Sequence, residues 1–373
     1  MTRSILASDH FKLGLFSSNC SGGMAVTKIP ERWSASWEDN LRMAQVADEV
    51  GIDFLLPIAR WIGYKGETNF HGAVLDPVTW AAGLLAATKN ISIFATIHTA
   101  FNHPLSVAKQ MATLDQIGGG RAGLNIVAGW NQPEYEAFGL DLPQSHDDRY
   151  SLAQEWWDVI RRAWTDPEIF DHDGKFFQLQ HVESMPKPVD GILPIINAGS
   201  STQGRAFAAR NSDFVFTSVM GPEDGKTIVE GLKEQARREH AREMGVFTFS
   251  HVVCRETKKE ADEYLHYYAE ENADWGAVDY LMKLQGLHAQ SFTKEMLSAF
   301  RPRFAAGHGG VPLIGTPDEV AAEIKRYHDA GFAGMTLAFV DYVSELEYFA
   351  QEVLPRLEAM GVRLPAKAVV AAL

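Results

Sequence analysis

Four small groups of residues in this chain have the types and spacing to do chemistry. Asn125 sits inside the apolar run Ala122–Ala128. A buried carboxamide must find partners, because an unpaired one costs roughly 1–3 kcal/mol. Thr96 and His98 close another apolar run, Ala95-Thr96-Ile97-His98. Gly199-Ser200-Ser201 precedes a helical stretch that starts near Arg205. Such a turn can aim backbone N–H groups and two hydroxyls at an anion, with a phosphate as the natural guest. An ordinary serine N-cap explains it equally well, and both readings stay open. His251 lies in the apolar context Phe249–Val253, where it is either a core histidine or a proton carrier. Polar residues also follow Asn125 at Trp130 and Glu134.

No local motif of a better-known chemistry accompanies these groups. There is no Gly-x4-Gly-Lys-Ser/Thr loop and no Gly-x-Gly-x-x-Gly between a strand and a helix, which disfavours the common nucleotide folds. The thirteen histidines are scattered, and His-Glu-x-x-His is absent, so no metal site is expected. No Gly-x-Ser-x-Gly elbow occurs. Cys20 and Cys254 have neither metal-type spacing nor a disulfide framework.

The elements that must position these residues alternate. Near-continuous apolar runs predict strands over Lys12–Ser17, Asp53–Ile58, Ile91–Thr96, Ala122–Val127, Pro194–Asn197, Asp213–Thr217, Phe247–Cys254 and Gly334–Val340. Runs of that kind are the mark of parallel strands covered on both faces. Helical periodicity between them covers Trp37–Val50, Pro77–Thr88, Leu105–Ile117, Arg149–Trp164, Gly225–Met244 and Pro317–Ala330. Eight strand–helix alternations argue for a (β/α)8 TIM barrel over residues 1–373 as one domain, with a doubly wound sheet as the structural alternative. In a barrel, working residues lie where strands end, which is where Thr96, Asn125, Asn197 and His251 fall. Two stretches exceed normal barrel loops: 165–193, with a possible hairpin at Gly174–Leu179, and 256–311, rich in aromatics and expected to form a lid before the last strand.

The net charge is −14. No Lys/Arg cluster suits nucleic acid, and Arg237–Arg242 reads as a solvated helix face. No apolar run approaches the ~20 residues of a membrane span, and Met1–His10 lacks a signal-type apolar core. A cytoplasmic setting is the expectation.

In combination, several segments resemble the bacterial luciferase-like flavin monooxygenases. These are Ala112-Thr-Leu-Asp-Gln-Ile-Gly-Gly-Gly-Arg121, Asn125 to Gly129, Arg149-Tyr150, the Gly-Ser-Ser turn, and Leu313-Ile-Gly-Thr-Pro-Asp-Glu-Val-Ala321. Asn19–Ile29 is similar to the start of dimethyl sulfone monooxygenases. Gly129–Glu136 and Ala95-Thr96 are more similar to pyrimidine monooxygenase. The resemblance implies a (β/α)8 barrel and two-component chemistry, in which reduced FMN from a separate NAD(P)H:flavin reductase meets O2. A flavin peroxide would then oxygenate or cleave a small organosulfur or N-heterocyclic substrate. It also implies FMN contacts at Ala59, Arg60, Asn125, Glu134, Arg149, Tyr150 and Ser201, and the turn of Gly199 and Ser200 would hold the FMN phosphate. Because Gly-rich barrels with apolar helices often pair, a homodimer or homotetramer is expected. Thr96 and Asn125 would stabilise developing oxygen charge, in a pocket walled by Leu56, Val127, Trp130, Phe249 and Phe339. His251 would act as acid or base. Alkanesulfonate monooxygenases carry an Arg where Phe249 stands and a Tyr where Phe339 stands, so a sulfonate would be poorly paired here. A neutral or weakly polar substrate is expected, unless Arg301 and Arg303 fold in from the lid. The alternatives are a deazaflavin-dependent hydride-transfer enzyme and a non-catalytic flavin-binding paralogue.

Overall fold

The computed structural model describes residues 5–7, 10–143, 145–199, 201–286 and 294–365. The strands, in chain order, are β1 (Lys12–Phe16), β2 (Phe54–Leu56), β3 (Ser92–His98), β4 (Ala122–Val127), β5 (Phe170–Asp173), β6 (Gln178–Val182), β7 (Ile195–Asn197), β8 (Phe214–Phe216), β9 (Gly245–Cys254), β10 (Val311–Gly315) and β11 (Gly334–Leu337). Eight of them form a closed parallel barrel in the order β1, β2, β3, β4, β7, β8, β9, β11, with β11 returning to β1. All eight expected strands are present, and the TIM barrel is the observed fold. Helices α1 (Trp37–Glu49), α2 (Pro77–Ala87), α3 (Pro104–Gly118), α4 (Gln132–Ala137), α5 (His146–Thr165), α6 (Thr202–Asn211) and α7 (Pro222–His240) follow the earlier strands. The long segment after β9 carries α8 (Lys258–His266), α9 (Trp275–Leu284) and α10 (Lys294–Gly307), and α11 (Pro317–Asp329), α12 (Ser344–Glu352) and α13 (Leu354–Ala359) complete the shell.

Two devices hold the barrel in register. The first lies beneath β4. α3 ends on Gly119 in the left-handed region, and Gly120 follows at φ 89°, a conformation that glycine adopts without steric cost. The Asp115 carboxylate accepts from the N–H groups of Ala122 and Val189. The buried Arg121 guanidinium donates to the carbonyls of Gly118, Leu85, Thr88 and Ile91 and to the Thr88 hydroxyl. The Asp-to-Arg block is thus a clamp at the floor of the barrel. The second device is the interior, where bulky rings on some strands fill space left by glycine on their neighbours. A Cβ added at Gly14 would meet the Phe54 ring at 2.5 Å, one at Gly123 the Phe94 ring at 2.3 Å, and one at Gly245 the Phe214 ring at 2.5 Å. Phe247 stacks on both Phe54 and Phe214.

The two long segments behave differently. The first contains the expected hairpin, β5–β6, turning over Gly174–Phe177. It packs on α5 through Glu155, which accepts from the N–H groups of Phe176 and Phe177, on the outside of the barrel. The second folds over the mouth. Tyr268, Val278, Leu281 and Phe304 form a second core with Val26 from the loop after β1 and with Tyr64 and Phe70 from the loop after β2. Its last stretch is an additional strand, β10, paired to the outer half of β9.

Arg121→Ala strips donors from several buried carbonyls at once. The expected loss is about 2–4 kcal/mol, read as a lower denaturant midpoint. A loss within 0.5 kcal/mol would show that the clamp is dispensable.

Candidate functional site

A cavity of about 610 Å³ opens at the C-terminal ends of the barrel strands. Its floor is an aromatic layer of Phe16, Phe216 and Phe249, with ring centroids 5.2–6.1 Å apart. Thr96, Asn125 and Val127 form one wall; Gln285, Phe300, Arg303, Phe304 and His308 reach in from the cap. Of the residues expected at the site, Ala59, Arg60, Thr96, Asn125, Val127, Trp130, Arg149, Tyr150, Gly199, Ser201 and Phe249 line this one cavity. Ser200 lies outside the described residues.

Thr96 and Asn125 are direct partners across the β3–β4 ladder. The Thr96 hydroxyl donates to the Pro57 carbonyl at 2.5 Å. A carbonyl only accepts, so the single hydroxyl proton is committed there. Thr96 must therefore accept from its neighbour, and Asn125 Nδ2 donates to it at 3.0 Å. This chain fixes the amide's orientation and leaves Asn125 Oδ1 as a buried acceptor without a partner. Thr96 thus orients Asn125 and has no proton to offer to a ligand.

The far end of the cavity is shaped for a group that needs bare backbone. A Cβ at Gly199 would meet the Tyr150 hydroxyl at 2.4 Å and Gly204 Cα at 2.5 Å. Asn197 holds this turn. Its Nδ2 donates to Ile126 O and its Oδ1 accepts from Gly199 N–H. Gly199 N–H is therefore spent on protein. Ser201 caps α6 by accepting from Gly204 N–H, which leaves its own hydroxyl proton and the first N–H groups of α6 for an anion. Arg149 donates through one terminal nitrogen to Gly129 O, while its buried Nε has no partner.

Arg60 and Glu134 form a buried ion pair at 3.0 Å. Glu134 Oε1 also accepts from Trp61 N–H. The guanidinium lies 5.0 Å from the Tyr64 ring centroid and 5.2 Å from that of Trp130. Glu134 is fully buried and does not line the cavity, so it positions Arg60 rather than meeting a ligand.

Three other expected residues also stand away from the cavity. Leu56 packs below it, in the aromatic barrel interior. Phe339 packs against Tyr342 and Phe349 in the main core. The reason is strand alternation: Thr336 pairs with the cavity-facing Phe249, so a residue three positions on faces the helices. His251 lies beneath Gly307, whose added Cβ would meet it at 2.4 Å. Burial, reinforced by Arg303, pushes its imidazole down to about 3. It is a neutral packed histidine across the neutral pH range.

Tyr64 lines the cavity without a sequence signal of its own, whereas Asn197 stands at a strand end as expected. His98 was visible only as a histidine at a strand end; burial, with Arg60 nearby, pushes its imidazole down to about 3. Arg303 lines the cavity, whereas Arg301 pairs outside it with Asp279. Among the described residues, no three His, Cys, Asp or Glu side chains are grouped to hold a metal, and no helix is long and apolar enough to cross a membrane.

A sequence profile described as luciferase-like monooxygenase matches residues 11–334. The chain belongs to the luciferase-like monooxygenase family. This luciferase-like monooxygenase is 30% identical over 367 residues to a protein named pyrimidine monooxygenase RutA from Allorhizobium ampelinum, covering 95% of this chain and 98% of the relative. It is 32% identical over 362 residues to an FMNH2-dependent dimethylsulfone monooxygenase from Pseudomonas putida, covering 93% and 95%. The crystal structure of DmoA from Hyphomicrobium sulfonivorans shares the fold, with a TM-score of 0.84 at 20% identity over 94% of this chain and 89% of that one.

Two measurements follow for this luciferase-like monooxygenase. Glu134→Ala leaves a buried guanidinium uncompensated and is expected to cost about 3–5 kcal/mol. The Arg60→Ala/Glu134→Ala double variant should then cost clearly less than the sum of the single changes; strict additivity in denaturant titrations would exclude a coupled pair. Second, His98 and His251 are held neutral well below the unfolded value of about 6.5. The unfolded chain therefore binds more protons, and stability falls as pH drops from about 6.5 toward 3. His251→Leu should lose less stability than wild type between pH 8 and pH 5, and parallel losses would contradict this.

Proposed function

We propose that the protein is a two-component monooxygenase that takes reduced FMN from a separate NAD(P)H:flavin reductase and uses O2 to oxygenate a small organic substrate. The observation that carries this reading is the Thr96–Asn125 chain, which ends in an unpartnered acceptor inside a cavity with an aromatic floor. A reduced flavin ring carries N–H groups that suit such an acceptor. Reduced FMN, when bound, supplies the electrons that activate O2 for transfer of one oxygen atom to the substrate and reduction of the other to water. The protein's part is to bind, orient and keep the site dry.

Ser201, the start of α6, Arg149 and Tyr150 are the residues suited to the phosphate end. Asn125 is the residue suited to the ring, with Thr96 as its positioning partner. Arg60, held by Glu134, adds positive charge where negative charge develops on oxygen. Phe16, Phe216 and Phe249 beneath, and Phe300 and Phe304 above, exclude water from the reacting centre. His251 takes no part in this scheme. The dimethylsulfone and pyrimidine monooxygenases among the relatives support a small, neutral substrate carrying polar oxygen. Two buried free cysteines are consistent with a reducing, cytoplasmic setting. Assembly as a homodimer or homotetramer belongs to the same reading, and light scattering on the purified protein decides it.

With chemically reduced FMN and 18O2, the protein is expected to form a product carrying one labelled oxygen from a panel of sulfones and N-heterocyclic amides. Asn125→Ala should lower product per reduced FMN by about 100-fold with unchanged circular dichroism; Thr96→Val should fall between the two. Anaerobic reduction of a deazaflavin with no oxygenation would overturn the proposal in favour of hydride transfer. Tight FMN binding with no product from any panel member would point to a non-catalytic flavoprotein.

A further inference from the structure

The cap side of the cavity holds buried hydrogen-bond donors that nothing in the protein satisfies. Tyr64, from the loop after β2, and His308, just after α10, both line the cavity, with ring centroids 6.0 Å apart. The Tyr64 hydroxyl and His308 Nδ1 are buried and without a partner. The proton on His308 can be placed. Gln285 Nε2 lies 3.0 Å from His308 Nε2, and an amide nitrogen only donates, so His308 Nε2 accepts. The ring is neutral, since burial, with Arg60 adding to it, pushes it down to about 3. Its single N–H is therefore Nδ1–H. Arg60 Nε, the third unpartnered buried atom on this side, is a donor as well. The nearby His71 is committed through Nε2 to Gly23 O at 2.6 Å and does not line the cavity.

Unsatisfied buried donors of one polarity call for one kind of guest. Each is held at a cost while unpaired. The backbone is also held to this arrangement: His308 sits in the left-handed region at φ 55°, which a non-glycine residue adopts only against steric strain. The apolar side chains of Met24 and Phe304 line the same cavity.

We propose that Tyr64 and His308 are the specificity-determining pair of this site, donating hydrogen bonds to a carbonyl or sulfonyl oxygen of the substrate, whose apolar remainder lies over the floor of Phe16, Phe216 and Phe249. This rests on the monooxygenase reading for the word substrate, but the binding itself does not require turnover. The pair selects for an oxygen acceptor and against the size-matched molecule that lacks one, because the latter leaves both donors buried and unpaired.

The test is calorimetric titration of the FMN-loaded protein with dimethyl sulfone, uracil and dimethyl sulfide. At least one of the first two is expected to bind, and dimethyl sulfide is expected to bind at least about 10-fold more weakly than dimethyl sulfone. Tyr64→Phe, which keeps the ring, and His308→Gly, which suits the backbone angle, should each weaken the oxygen-bearing probe by about 10-fold and leave the FMN dissociation constant unchanged. Equal binding of sulfone and sulfide, variants that bind the probe as wild type does, or no binding of either oxygen-bearing probe overturns the inference. A wild type that binds the probe selectively but forms no labelled product fails the monooxygenase reading and leaves this pair standing.

Discussion

The register of β4 is the constraint on which the site depends. It is set at the closed end of the barrel, where Asp115 and Arg121 tie the start of the strand to α2, α3 and the segment before β7. Asn125 stands four residues further on, so a slip of one residue would turn its amide toward the helices. The clamp is bulky and polar, yet it lies a strand's length away from any ligand. The Gly-Gly-Gly-Arg block therefore serves the site through geometry alone.

Above that clamp, two parts of the molecule contribute different things. The barrel brings a committed chain of hydrogen bonds, Asn125 to Thr96 to Pro57, and a glycine-lined turn braced by Asn197. These groups sit on strands or at strand ends, where neighbouring hydrogen bonds leave little freedom. The cap brings Tyr64's neighbours and His308, residues held by a separate hydrophobic cluster. The ion pair of Arg60 and Glu134 links the loop after β2 to α4.

What could be read from the residues alone follows the same division. The eight parallel strands were legible because each is an apolar run with turn residues at its ends. Asn125 and Ser201 were legible because polar residues at strand and helix ends stand out from such runs, whereas Arg149 was reached only through the family resemblance. Direction was harder to see. Leu56 lies on β2 and Phe339 just past the end of β11, but depth places the first below the cavity and alternation turns the second outward. β10 was hidden because it is short, carries Pro312 and follows directly on Gly309-Gly310. Tyr64 and His308 gave no signal, since their proximity arises only when the cap folds onto the loop after β2.

Arg303 shows how the lid is held down. Its guanidinium donates to Gly310 O within the cap and to Val219 O and Met220 O on the loop after β8. Every oxygen it grips is a peptide carbonyl, and among the described residues no carboxylate lies within 4 Å to pair with it. Peptide carbonyls do not titrate, and they are present whatever side chains the loop carries. The fastening is thus indifferent to acidity and tolerant of sequence drift at positions 219 and 220. A change in cellular pH would not undo this latch, and the side chains of the loop beneath it are free to vary in polarity as long as its backbone keeps its path.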